Sequence, residues 1–183
     1  RILYKDVIRL YLAMLKILNF LKKDKFAVSL IFIMVFSRLI PHPPNFTPII
    51  AVAIMSGYLF KNFYLSFLVL TVSMVISDLF IGFYGNMIFV YFGLFLINYI
   101  FYEIKRFINF KNLFFMSIFG SLIFFLISNF GVWFSGSLYE KNLAGLITCY
   151  YMAIPFFTNT LISTLIFSYS AYSINYYLKT KIA

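Results

Sequence analysis

The chain has 183 residues, of which 63% are hydrophobic and only 11% charged, with 15 Lys or Arg against 5 Asp or Glu. Soluble domains contain roughly 25% charged residues, so this composition excludes a water-soluble globular domain and is typical of an integral membrane protein. Six helical spans of roughly 20 residues would use about 120 positions, which leaves no room for a large additional soluble domain.

Residues 1–25 are predicted to form one amphipathic helix on the membrane surface, ahead of a membrane domain at 26–183. A narrow basic stripe follows one face of that helix and comprises Arg1, Lys5, Arg9, Lys16 and Lys23. Apolar side chains fill the remaining arc, an arrangement that favours binding to an anionic cytoplasmic leaflet. The alternative is a docking surface for a cytoplasmic partner.

Apolar runs between charges and Pro or Gly predict an all-α integral membrane protein with six transmembrane helices. In chain order the predicted spans are 26–41, 47–60, 63–83, 87–104, 113–134 and 156–178. The first two reach only about 21 to 24 Å, less than the roughly 30 Å of a hydrocarbon core, and are also compatible with a re-entrant pair. Their link, 41–48, contains four prolines and cannot be helical.

Pro155 is predicted to divide the last third of the chain. Before it, the short apolar segment 143–154 is interpreted as interfacial or re-entrant, and after it the sixth span begins.

The basic residues predict which side of the membrane each loop faces. If the N-terminus is cytoplasmic, every Lys and Arg except Arg38 and Lys141 falls on the cytoplasmic side. The positive-inside rule therefore predicts that both termini are cytoplasmic, with the chain in the inner membrane. The net charge of +10 is then explained by topology, and the expected macromolecular environment is the lipid bilayer rather than nucleic acid.

Polar side chains that are costly in a bilayer gather near the predicted outer side. Arg38 and Asp78 are ionisable residues within spans, where each costs about 2.5 to 3.5 kcal/mol. The uncharged members of the cluster are His42, Asn45, Asn129, Trp133 and Asn159. Their shared depth predicts an aromatic-walled cavity, open to the outside, that binds a small-molecule substrate.

Each member of the cluster also has a purely structural alternative. Arg38 and Asp78 could form a salt bridge that ties the first span to the third. Asn129 and Asn159 could be interhelical hydrogen-bonding residues. His42 could be a capped surface residue, and Trp133 could belong to the aromatic belt at the membrane interface.

Two small residues, Ala53 and Gly57, lie four positions apart on the second span. Such a pair lets another helix approach closely, either within this chain or from a partner subunit.

No catalytic constellation is found, so the chain is expected not to be an enzyme. Trp133-Phe134-Ser135-Gly136 lacks the leading Gly of a G-x-S-G nucleophile motif, and no P-loop occurs. The single histidine, His42, rules out a His-rich metal site, and no cofactor is expected. An enzyme acting on lipid or polyprenyl substrates is a remote alternative.

Four stretches carry a family resemblance. They are RLIPHPPNFTP at 38–48, SD at 77–78, NFGVW at 129–133 and LAGLITCYYMAIPFFTN at 143–159. Over about residues 27 to 178 the chain resembles an uncharacterised bacterial integral membrane family of predicted transport proteins. That family is similar to the substrate-binding S components of energy-coupling factor (ECF) transporters.

The resemblance implies a six-helix component that captures a vitamin or vitamin precursor from outside for uptake. Its partners would be a transmembrane coupling subunit and cytoplasmic ATPases. The motif residues coincide with the polar cluster: Asn45, Asn129 and Asn159 would hydrogen-bond the ligand, Trp133 would stack on it, and Arg38 and Asp78 would read charge or hold the helices in register. S components present an Ala-x-x-x-Ala pair on the first span, whereas Ala27 is followed here by Ile31. Ala53 and Gly57 are the candidate substitute.

A function of a different class is also compatible with the sequence. A non-transporting membrane scaffold or accessory subunit would use the basic N-terminal helix and the small-residue pair to bind partners, and its polar residues only for packing.

Overall fold

A computed structural model describes residues 25–60 and 62–182. The predicted interfacial helix at 1–25 lies outside the described residues except for Lys25, which begins the first helix.

Six α-helices account for nearly all of the described chain. They are α1 (Lys25–Leu39), α2 (Ile49–Leu59), α3 (Phe63–Ile81), α4 (Met87–Glu103), α5 (Asn112–Ser135) and α6 (Leu143–Ile182), with a short 3-10 helix at Lys105–Phe107. No strand occurs in the described ranges. The prediction of an all-α protein with six helices is confirmed.

Three of these helices are long and apolar enough to cross a membrane: α3, α5 and residues 143–178 of α6. Large apolar side chains such as Phe80, Phe83 and Phe115 are exposed on the bundle surface, where water would make them unfavourable. Together these features indicate a membrane protein. Helices α1, α2 and α4 have 15, 11 and 17 residues, and at 1.5 Å per residue they are roughly 16 to 26 Å long.

The shortest helix, α2, is the centre of the bundle. Every residue from Ile49 to Ser56 is buried, and α2 contacts α3, α4, α5 and α6. A helix that is apolar on all sides is stable only when other helices surround it, as they do here. The second predicted span is therefore a core helix rather than a lipid-facing one.

The small-residue pair on α2 is used inside this chain. A Cβ atom added at Gly57 would lie 2.5 Å from Cβ of Lys105 and 3.2 Å from Cα of Tyr102. Ala53 is fully buried. The close approach predicted for this pair is therefore made within this chain, by the end of α4 and the residues that follow it.

The predicted break at Pro155 is wrong, because α6 is continuous through this residue. The whole helix, Leu143–Ile182, has 40 residues and is about 60 Å long. Proline removes one backbone donor, a loss that a helix tolerates where neighbouring helices pack against it on both sides. Before Pro155, the Tyr150 hydroxyl donates to the carbonyl oxygen of Leu126 at 2.7 Å. After it, Phe157 packs on Phe125 with ring centroids 5.0 Å apart. Contacts with α5 thus hold both halves of α6.

Candidate functional site

A cavity of about 680 Å³ opens at one end of the bundle. All six helices contribute to its wall. The proline-rich link, which the structure extends to 40–48 between α1 and α2, also contributes, as do the loops 82–86 and 136–142. The polar residues of the wall are Arg38, His42, Asn45, Thr47, Tyr84, Asn86, Ser128, Asn129, Tyr139 and Cys149. Volumes of about 300 to 1,000 Å³ with a few polar groups in an apolar lining are typical of small-molecule sites.

The proline-rich link forms one side of the cavity through a tight turn. The N–H of Phe46 donates to the carbonyl oxygen of Pro43 at 3.0 Å, and Asn45 has a positive φ of 62°. Pro44 followed by a residue with positive φ is the pattern of a type II β-turn, and Asn is among the few non-glycine residues that tolerate this φ. The turn places Asn45 in the cavity wall.

Helix α6 holds this turn in place. Asn159 donates through Nδ2 to the carbonyl oxygen of Pro44 at 3.2 Å. The Ser163 hydroxyl donates to the backbone carbonyl oxygen of Asn45 at 3.4 Å. The Phe46 ring packs on Phe167 with centroids 6.0 Å apart. Asn159 therefore positions the link and does not itself line the cavity.

An ion pair lies at the side of the cavity and joins three helices. Nη2 of Arg38 on α1 is 2.6 Å from Oδ1 of Asp78 on α3, and the Tyr91 hydroxyl on α4 donates to Oδ2 of Asp78 at 2.8 Å. Nη1 of Arg38 donates to the Ser77 hydroxyl at 2.5 Å. The Asp78 side chain is fully buried, whereas 13% of the Arg38 side chain is exposed and lines the cavity. The salt bridge foreseen as an alternative is present.

The loop between α3 and α4 adds two polar residues to the wall, Tyr84 and Asn86. Burial raises the pKa of the Tyr84 phenol, the negative charge of Asp78 raises it further, and Arg38 acts in the opposite direction. Because its ordinary pKa is already about 10, Tyr84 presents a neutral hydroxyl at physiological pH.

Helices α5 and α6 form the opposite wall around Asn129. Its Nδ2 donates to the carbonyl oxygen of Phe125 at 2.8 Å, so the amide oxygen is the atom best placed for a ligand donor. The Cys149 thiol lies 3.5 Å from the Asn129 carbonyl oxygen and also lines the cavity. Ser128 bonds back to its own helix at Phe124.

Trp133 lies outside the wall and fastens the loop 136–142. Its Nε1 donates to the carbonyl oxygen of Glu140 at 2.9 Å. The Lys141 ammonium lies 5.6 Å from the centroid of the indole ring and donates to the carbonyl oxygens of Trp133, Phe134 and Gly136 at the end of α5. A cation favours this end of a helix because the last carbonyls are unpaired. The loop so held contributes Leu138 and Tyr139 to the cavity.

The structure divides the predicted site residues into two groups. Arg38, His42, Asn45 and Asn129 line the cavity, and Asp78, Trp133 and Asn159 support it from outside the wall. His42 is exposed, with Nδ1 2.7 Å from the carbonyl oxygen of Pro43. In the described part of the chain, no three His, Cys, Asp or Glu side chains are grouped so that they could hold a metal ion.

The polar wall residues that the sequence analysis did not name are Tyr84, Asn86, Ser128, Tyr139, Thr47 and Cys149. A signal for the first two exists in the sequence, because Gly82 and Gly85 mark a turn immediately after the span that contains Asp78. Ser128 and Tyr139 have no comparable signal.

Replacing Asn45 separates the role of its backbone from that of its amide. We expect Asn45→Gly to keep the wild-type stability within about 0.5 kcal/mol, because Gly adopts positive φ without strain. Asn45→Ala should lower the free energy of unfolding by about 1 kcal/mol, since an alanine Cβ clashes in this conformation. Thermal unfolding of detergent-purified protein measures both. Equal losses in the two variants would show that the amide, and not the backbone angle, stabilises the turn.

The fold and the cavity together define a helical membrane protein with a site of small-molecule size. Residues 20–183 match the model described as a family of unknown function (DUF6580), and the chain belongs to this family. No curated protein and no solved structure matches the chain.

Proposed function

We propose that this protein is the substrate-binding membrane component of a transporter, similar to an ECF S component, and that it captures a vitamin or vitamin precursor from the outer side for uptake. The observation that supports this proposal is the cavity of about 680 Å³, whose wall includes Asn45, Asn129 and Tyr84 among apolar residues. An S component needs such a pocket, whereas a scaffold does not.

In this proposal the protein lies in the inner membrane with six membrane helices, and both termini are in the cytoplasm. Ile49 and Ile50, at the start of α2, line the cavity, whereas Gly57, near its end, contacts Lys105. The cavity and Lys105 therefore lie toward opposite ends of the central helix. Because basic residues favour the cytoplasmic side, this separation supports a cavity that faces outward.

In the proposed mechanism the vitamin or precursor enters from outside and packs against the aromatic residues of the wall. These residues are Tyr84, Phe124, Tyr139 and Phe156. The amides of Asn45 and Asn129 then fix its orientation by hydrogen bonds, as a few polar groups do in most small-molecule sites.

Release to the cytoplasm would need a second conformation. Toward the other end of the bundle, the side chains of Ile54, Leu70 and Ile97 are completely buried and closely packed. Since the sequence carries no nucleotide-binding motif, the energy for that change would come from a transmembrane coupling subunit and cytoplasmic ATPases.

Thermal unfolding of the purified protein against a panel of vitamins and their precursors tests the proposal. A ligand at 100 times its dissociation constant should add about 2.7 kcal/mol to the stability. We expect Asn129→Ala to weaken binding about tenfold through the loss of one hydrogen bond. Asn175→Ala is the matched control, because the Asn175 amide donates to the Tyr58 carbonyl oxygen at 3.5 Å and does not line the cavity. This variant should bind as the wild type does.

A folded protein that no compound of the panel stabilises would count against a binding role. Together with co-purification of a stable complex that transports nothing, this result would favour the scaffold. Equal binding by Asn129→Ala and the wild type would leave the binding role intact and contradict only the hydrogen bond assigned to Asn129.

A further inference from the structure

The charges at the cavity balance to zero. Arg38 is the only Lys, Arg, Asp or Glu among the described residues that line it, and its guanidinium is paired with Asp78 at 2.6 Å. Asp78 is fully buried behind Arg38 and has no surface toward the cavity. A ligand therefore meets a wall whose one permanently charged side chain is already neutralised by the protein itself.

Further contacts hold the ion pair in place. Oδ1 of Asp78 lies 2.6 Å from Nη2 of Arg38, and Oδ2 accepts a hydrogen bond from the Tyr91 hydroxyl. Nη1 of Arg38 donates to Ser77 and Nη2 faces Asp78. An anionic ligand would have to compete for Arg38 with a carboxylate that already contacts it and is shielded from water, and a buried ion pair is costly to break.

The charged side chains of the loop 136–142, which contributes to the cavity wall, are engaged as well. The Lys141 ammonium donates to three carbonyl oxygens at the end of α5. A Glu140 carboxylate oxygen accepts a hydrogen bond from Asn142 at 2.8 Å. Neither residue lines the cavity.

What the wall offers instead are neutral donors and acceptors between aromatic rings. Three asparagines and two tyrosines line the cavity: Asn45, Asn86, Asn129, Tyr84 and Tyr139. Amides and phenols both donate and accept, so they complement the carbonyl, amide and ring nitrogen groups of a planar heterocycle. A charge brought into the cavity would lose water without gaining a counter-ion.

We infer that the cavity selects a ligand without net charge, a planar heteroaromatic molecule with both donors and acceptors. The inference rests on the proposed function and specifies its substrate class. Arg38 and Asp78 set this selectivity by cancelling each other, and they do not bind a charged group of the ligand.

Matched pairs of compounds test the inference on the wild-type protein. Each pair shares a ring system and differs in charge: nicotinamide with nicotinate, riboflavin with its phosphate, and the tightest binder of the vitamin panel with a charged derivative. Affinities are measured by thermal shift and by isothermal titration in detergent. The neutral member should bind at least about tenfold more tightly, because a charge in an apolar membrane site is unfavourable by more than that factor.

The outcomes separate this inference from the proposed function. A charged compound as the tightest binder overturns the inference and leaves the binding role intact. Failure of every compound to bind folded protein overturns the proposed function, and the inference falls with it.

Asp78→Asn gives an independent test because it leaves the Arg38 cation without its partner. In this variant the ratio of neutral to anionic affinity should fall at least about tenfold, toward the anion. The double variant Arg38→Gln/Asp78→Asn removes both charges and should again prefer the neutral compound. An unchanged ratio in Asp78→Asn would overturn the role given to the pair. If Asp78→Asn does not fold, an anion preference in the double variant would overturn it instead.

Discussion

Asp78→Asn should lower the free energy of unfolding by about 3 kcal/mol or more, the largest effect that we expect from a single polar substitution in this chain. The amide keeps the size of the carboxylate but leaves the Arg38 guanidinium without a counter-ion. Only 13% of the Arg38 side chain is exposed. Tyr91 also loses its charged acceptor. Equilibrium unfolding of detergent-purified protein, by heat or by a denaturing detergent, measures the loss.

Two further variants show whether the loss comes from the ion pair. Arg38→Gln/Asp78→Asn should be more stable than Asp78→Asn alone, since replacing both partners of a buried pair is often nearly neutral. Tyr91→Phe keeps the pair and should lose only about 1.5 kcal/mol, the value of one hydrogen bond to a charged group. Additive losses for Arg38→Gln and Asp78→Asn would show that the two residues are not coupled.

The cost of desolvation pointed to this part of the site. Two opposite charges near the same end of two apolar spans are costly apart, so a salt bridge between Arg38 and Asp78 was one of the alternatives that the sequence left open. The same argument by depth led to His42, Asn45 and Asn129, which the structure brings to one cavity. The cost of a polar group in oil is a property of the residue and its position along a helix, and both can be read from a sequence.

Where a polar side chain finds its partner was not predictable in the same way. Trp133 lies one turn after Asn129, yet its indole turns to the Glu140 carbonyl in a loop. Asn159 bonds to the Pro44 carbonyl of a link more than a hundred positions away. Both partners are backbone oxygens, which every residue carries, so no sequence pattern identifies them.

The continuity of α6 was missed for a related reason. Pro155 breaks a helix that has only its own hydrogen bonds, but packing against α5 on both sides offsets the loss. Tertiary packing overrides the local propensity there. The loop residues Tyr84 and Tyr139 likewise reach the cavity only because the helices that they connect are packed together.

Gly57→Ala should lower the free energy of unfolding by about 1 to 3 kcal/mol, because the new methyl group would overlap Lys105 and crowd the backbone at Tyr102. Gly93→Ala is the matched control within another helix of the same bundle. Its Cβ would lie 3.6 Å from Ile127, an ordinary contact, so this variant should gain about 0.5 to 1 kcal/mol from reduced backbone entropy. Thermal unfolding of the two purified variants should therefore give shifts of opposite sign.

The isolated chain is the right sample for this comparison, since the two roles of the small-residue pair differ in it. If Gly57 packs against Lys105 within the chain, its replacement destabilises the protein without any partner present. If the pair instead forms the docking face for a coupling subunit, the isolated variant keeps its stability and only the assembly is lost. Equal stability of Gly57→Ala and the wild type would thus make the Ala53–Gly57 face a candidate docking surface for a coupling subunit again. The expected loss would mean that a coupling subunit must bind elsewhere, because α2 is enclosed by the helices around it.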